Sequence, residues 1–341
     1  MARKLMLTGA GVVGMPAVSH AHIKWFCAYD TSVPPLPLYD VLTPIFIYVA
    51  ACFTTLMFLS YVIDAVAARN GWFERFERAL LACQPCIPIL IRAAVGIFFA
   101  VLWLTGDTIL TPELKTTSFW IPWLQLAIAV STLWRPALVF TAAGITTLYL
   151  FGVCEYGAFH MMDYPIFLGI AAYLALSAFD HPLLIRLRLP ALYFNLALTM
   201  MWGAIEKFGY PYWTFPLLAT HQGLTLGIPF NVFMIVAGFV ELSLAFFMLT
   251  GTALLRLSCL ALLALLVSAV PEFGRIDAIG HFLIIVVLGT MIIAGQNGIS
   301  LPAALQKNGV LSRSSVLTLA YGATIAVLFA IYYSAQFIAG R

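Results

Sequence analysis

Long apolar runs alternate along this chain with short clusters of polar, proline or glycine residues. Ten such runs predict helices near 43–66, 88–106, 119–134, 137–153, 164–179, 190–207, 230–250, 254–270, 278–295 and 315–338. None shows the period of two that marks a half-buried strand. Their lengths match or approach a helical crossing of a bilayer. Ahead of them, Met1-Ala2-Arg3-Lys4, an apolar stretch from Leu5 to Val18 and Ser19-His20-Ala21 follow the order basic, apolar, small-residue cleavage site. The expectation is a signal peptide over 1–21 cleaved after Ala21, or an uncleaved signal anchor. Residues 22–42 contain Pro34, Pro35 and Pro37 and predict an extended extracytoplasmic lead-in. The stretch 69–80 interleaves aromatic and charged residues, which predicts a short amphipathic helix at the inner headgroup level.

Composition sharpens this into a membrane protein. The chain is 63% hydrophobic and only 9% charged, against about 25% charged residues in soluble domains. Mean hydropathy is +1.00. Apolar surface on that scale calls for lipid, and lipid demands helices or a closed barrel because every backbone polar group must be satisfied internally. The net charge of +3 is dispersed and argues against a nucleic-acid partner. With the lead-in outside, Arg69, Arg75, Arg78, Arg135, Arg186, Arg188, Lys307 and Arg313 fall in inner loops, and Lys24, Lys115, Lys207, Arg275 and Arg341 outside. That bias follows the positive-inside rule and predicts a multi-pass protein of a bacterial-type inner membrane. No Walker A, GxGxxG, HExxH or GxSxG pattern occurs, which argues against ATP-driven transport and soluble hydrolase chemistry.

The middle of the chain echoes itself. Gly152-Val-Cys-Glu155-Tyr-Gly157 is matched by Ala269-Val-Pro-Glu272-Phe-Gly274; His160 and Asp163 follow the first, Asp277 and His281 the second. Two parallel four-helix units, 88–179 and 190–295, are therefore expected. Residues 43–87, with the first span and inner amphipathic loop, precede them. Residues 296–341, an inner loop and last span, follow. In the second unit a helix carrying Trp202-Gly-Ala-Ile-Glu206-Lys207-Phe-Gly-Tyr-Pro211 is followed by one carrying Gly238-Phe-Val-Glu241-Leu242 and ending at Gly251. This resembles the DoxX-like family of small four-helix membrane proteins. The first unit shares Arg92 and Gly96 but has Gln125 where the family motif has its acid. The resemblance implies an all-α integral membrane fold of about ten transmembrane helices: two DoxX-like bundles with flanking helices. From the family's best-described activity it also implies a membrane subunit of a quinone-linked oxidoreductase.

Candidate chemistry gathers at the predicted outer face. Glu241 lies midway along its helix, where an ionisable group costs roughly 2.5–3.5 kcal/mol even on a lenient scale; it is a proton acceptor, a ligand carboxylate or a packing residue. Lys207 is expected to reach an acid nearer the surface than Glu241. Glu155, Glu272, Asp277 and His281 join Glu241 as acid–base candidates, and Glu206, Lys207 and Trp202 as contacts to a bound quinone. A mixture of histidine and carboxylate at one depth suits proton-coupled redox work. Copper or zinc is the competing reading, through His160 and Asp163 on one helix face, with Met161 and Met162, or through an amino terminus at His22. Cys83-Gln-Pro-Cys86 is a lone C-x-x-C on the inner side. The alternatives to a redox subunit are a carrier or metal-handling protein and a non-catalytic scaffold for a periplasmic partner. In all of these readings membrane lipids are the surrounding medium.

Overall fold

The computed structural model describes residues 34–297 and 309–338; the signal segment, His20, His22 and most of the 296–314 loop fall outside them. The elements are α1 (Leu38–Val41), α2 (Pro44–Ala67), α3 (Gly71–Leu81), α4 (Ile87–Thr105), α5 (Trp120–Ser131), α6 (Leu138–Tyr156), α7 (Ala158–Met161), α8 (Pro165–Ser177), α9 (Pro182–Gly209), α10 (Phe215–Thr220), α11 (Phe230–Thr250), α12 (Ala253–Ala294) and α13 (Val310–Ile338). Among the described residues, seven helical stretches are long and apolar enough to cross a membrane, α3 and α4 forming one of them; α5 and α8 are apolar but shorter. The chain is an all-α multi-pass membrane protein. Large apolar side chains such as Ile47, Leu104, Phe140 and Leu319 stay exposed, as expected of helices whose outer faces meet lipid rather than water.

Neighbours in sequence pack as neighbours in space: α4 on α5, α5 on α6, α6 on α8, α8 on α9 and α9 on α11. α12 closes back on α4, while α2 lies against α11 and α13. Two ends result. The lead-in 34–37 sits at one: Leu36 N–H donates to Gly209 O at 2.8 Å, and Tyr333 OH donates to Leu36 O at 2.7 Å. At the other end lies α3, whose start is capped by Asn70 accepting from Trp72 N–H at 2.9 Å.

One expectation changes. Residues 180–189 are not a loop. α9 begins at Pro182 and runs through Pro190; proline at a helix's first turn is favourable, and the later one removes a single backbone donor. Residues 271–277 do carry the expected turn between two helices: Arg256 near the start of α12 hydrogen-bonds Ile292 near its end, so the two halves of α12 fold back on each other. α12 continues through Pro271 and breaks at Gly274, whose φ of +74° no β-carbon-bearing residue adopts cheaply. Glu272 and Asp277 therefore sit on helix, on opposite sides of that break.

At the α3 end, arginines close helix C-termini. Arg92 donates to the carbonyls of Thr132 and Leu133 after α5, at 2.9 and 2.7 Å. Arg135 and Arg188 donate to Ser177, Leu176 and Phe179 around the end of α8. Arg256, at the start of α12, donates to Ile292 in its last turn at 2.9 Å. Terminal carbonyls without helical partners and the negative end of the helix dipole are met together. Arg135 and Arg188, two of the residues whose charge predicts orientation, are among those making these contacts.

Candidate functional site

At the lead-in end, α9 and α11 bring Lys207 and Glu241 into a direct ion pair. Close approach of the helices makes this reach available: a β-carbon on Gly238 would lie 2.4 Å from the ring of Phe208. Lys207 Nζ also donates to Gly203 O at 3.3 Å. This corrects the expectation that Lys207 would meet a shallower acid. Residues 210–218 lie over the end of α9, with Tyr210, Trp213, Leu217 and Leu218 buried; Lys207 is therefore deeper than its distance from the helix end suggests. Both side chains keep partial access, 24% and 20%, and Lys207 lines a pocket of about 220 Å³. Lys207, Asn231, Thr43 and Asp40 supply its polar lining, Phe208 and Ile235 much of its apolar wall.

A second polar centre lies in the first unit. Residues 107–116 fold into the bundle end instead of standing out as a loop. Ile109, Leu110 and Leu114 are fully buried, and buried Gln125 donates to the carbonyls of Thr108 and Ile109 at 2.6 and 3.0 Å. This inserted turn carries Glu113, which is 2% exposed, to 2.6 Å from His160 Nε2. Tyr164 donates its hydroxyl hydrogen to the other carboxylate oxygen, and the His160 ring stacks on Tyr156. At the mouth of the turn Lys115 pairs with Asp107 at 2.9 Å. Partial burial raises the Asp107 pKa, but the hydrogen bond and charge of Lys115, with Thr108 and backbone hydrogen bonds, outweigh it and hold the carboxyl below its usual range.

The remaining candidates scatter. Buried Asp163 and Thr111 line a cavity of about 10 Å³ with Thr199 and Gly280, room for about one water. His160 thus turns to Glu113 while Asp163 faces another space, and the pair does not form a shared ion site. Among the described residues, no group of three or more His, Cys, Asp or Glu is placed to hold a metal ion. Met161 is buried against Gly152, and Met162 packs partly buried on the core. On α12, His281 Nδ1 lies 3.0 Å from Asp277 Oδ1; Asp277 Oδ2 is buried with no hydrogen-bond partner among the described residues. Glu272 is exposed and pairs with His221 at 3.1 Å. Glu155 is exposed at the end of α6. Trp202 is buried among Phe159 and Tyr332 at ring distances of 5.4 and 5.2 Å; it is packed core, not a wall of the pocket. Glu206 is half-buried beside Lys207. Cys83 and Cys86 are free and exposed. His22 lies outside the described residues.

Compared with protein-family models, curated proteins and solved structures, the chain matches none.

Sequence reasoning found both members of the Lys207–Glu241 pair and His160, but missed Glu113. A usable signal was present: Thr-Ile-Leu-Thr-Pro-Glu113-Leu-Lys is too apolar for a solvated loop.

Proposed function

We propose that this chain is a bacterial inner-membrane protein of ten crossings, built as two DoxX-like four-helix bundles with flanking helices, and that it serves as the membrane subunit of a quinone-linked redox reaction. The arginines of the α3 end support a cytoplasmic position for that end and an outer one for the lead-in end. The observation that carries the functional reading is the outward pocket of about 220 Å³ with Lys207 and, behind it, Glu241. Apolar walls with a cationic donor, an amide and a hydroxyl, and with Asp40 at the edge, suit a flat ring bearing carbonyl oxygens. When bound, a quinone accepts two electrons and two protons from a donor reaction and its surroundings. The chain's contribution is to orient and protonate: the Lys207 ammonium donates a hydrogen bond to a ring oxygen and is the proton source for it, and Glu241 holds that ammonium in place from behind. His160 and Glu113 form a second protonatable pair on that face.

The test is organic extraction of protein purified in mild detergent. About one quinone per chain, lost in Ile235→Trp, which fills the pocket, is expected. A carrier is the second reading, favoured by an ion pair held inside a span. Absence of quinone together with solute uptake abolished by Glu241→Gln in a folded protein would establish the carrier instead.

A further inference from the structure

Where α3 meets the start of α12, a crevice of about 290 Å³ opens between Trp72, Phe73 and Phe76 on one side and Leu257 and Leu260 on the other, with Arg256 in its lining. Trp72 and Phe76 stack in parallel at 5.8 Å, and both are exposed, as are Leu257 and Leu260. Phe73 is buried beneath the Arg256 guanidinium, 5.9 Å from its ring. The same segment carries exposed Arg69, Arg75 and Arg78 against exposed Glu74. The other acid of α3, Glu77, is already engaged by Arg256 Nη1 at 3.0 Å. The exposed side chains of this segment therefore carry three positive charges against one negative.

An apolar slot lined by a net-cationic segment, beside membrane-length helices, is complementary to one class of molecule. The slot sits at the lower edge of ligand-pocket volumes, roughly 300–1,000 Å³. It admits an acyl segment and leaves a headgroup at the rim. Guanidinium groups are the preferred partners of phosphate oxygens. We infer that this crevice is a specific site for one anionic phospholipid, with an acyl segment between Trp72–Phe76 and Leu257–Leu260 and its phosphate among Arg69, Arg75 and Arg78. The amphipathic helix is then a lipid-reading element and not only an anchor.

The full chain in detergent, titrated with phosphatidylglycerol or phosphatidylcholine and followed by native mass spectrometry, tests this. One tightly held phosphatidylglycerol per chain is expected, with phosphatidylcholine at least about tenfold weaker. Arg75→Glu with Arg78→Glu, both on the exposed face, should weaken phosphatidylglycerol on the order of 30-fold. Leu260→Trp, which fills the slot and leaves the charges alone, should remove the tight site as well. Equal affinity for the two lipids overturns the inference, and so does retention of the tight phosphatidylglycerol in both variants. Thermal unfolding without added lipid shows that the variants remain folded, and the two-lipid comparison on the unaltered chain decides even where one does not.

Discussion

Lys207 of α9 and Glu241 of α11 neutralise each other inside the helical bundle, thirty-four residues apart in sequence and in direct contact in space. A charge left alone at that depth would carry most of its desolvation penalty. The pair therefore constrains how α9 and α11 register as well as what the pocket above it can bind.

Removing either partner should cost stability that removing both partly restores. Lys207→Met and Glu241→Gln are each expected to destabilise by roughly 1–3 kcal/mol. The double substitution should cost clearly less than the sum, with a coupling of about 1 kcal/mol or more. Thermal or denaturant unfolding in detergent measures the cycle. Additive losses would mean that the two side chains do not share their energy.

Tyr164→Phe removes one hydrogen bond to buried Glu113 and should destabilise by about 1–2 kcal/mol. Glu113→Leu should cost more, because it strips His160 and Tyr164 of a common acceptor, and Glu113→Gln should fall between. In the redox reading Glu113→Gln and His160→Ala also slow turnover while leaving quinone content near one per chain. Unchanged turnover in both would remove this centre from the mechanism.

Asp64 at the end of α2 accepts from Thr252 and Leu254 N–H, each at 2.9 Å, and so caps α12 from another helix. Asp64→Ala should cost about 1–2 kcal/mol and speed amide exchange over 252–255. Asp64→Asn keeps one acceptor oxygen and should recover part of the loss.

The Asp107–Lys115 pair gives the inserted turn a defined acid response. The folded pKa of Asp107 is depressed. Its contribution is therefore complete above the unfolded carboxylate value of about 3.9 and disappears as pH falls through the lower folded value. Amide exchange over 107–116 should be insensitive to this group between pH 7 and 5, in the chemistry-corrected rates, and rise in acid. Both side chains are more than half exposed, so the effect is small and shrinks with salt. Lys115→Ala should abolish it.

The apolar pattern located the helices because lipid leaves little choice: a long uncharged run crosses, and glycine, proline or charge ends it. The same logic misplaced what tertiary packing decides. Pro190 looked like a helix boundary, yet α9 passes through it, since one missing donor is affordable where Arg188 and neighbouring elements hold the segment. Glu113 stands between two spans and belongs to no local pattern; the apolar residues around it carry the whole turn inward. Lys207 looked shallow because burial of residues 210–218 is a property of the assembled bundle and not of any local window. Of the candidate site, residue types were legible and partnerships were not. Spacing along one helix relates His281 to Asp277, but nothing local relates Glu241 to Lys207 or His160 to Glu113.

The arginines that close the ends of α5, α8 and α12 have a consequence for engineering this protein. In most membrane proteins orientation can be rewritten by moving positive charge from one loop to another, as though changing an address label. Here part of the label is also the seal: Arg135 and Arg188, together with Arg92 and Arg256 inside their helices, satisfy carbonyls that would otherwise stand bare at helix ends. A version with its basic residues transplanted to the opposite side would not simply insert upside down. It would arrive with its helix ends undone.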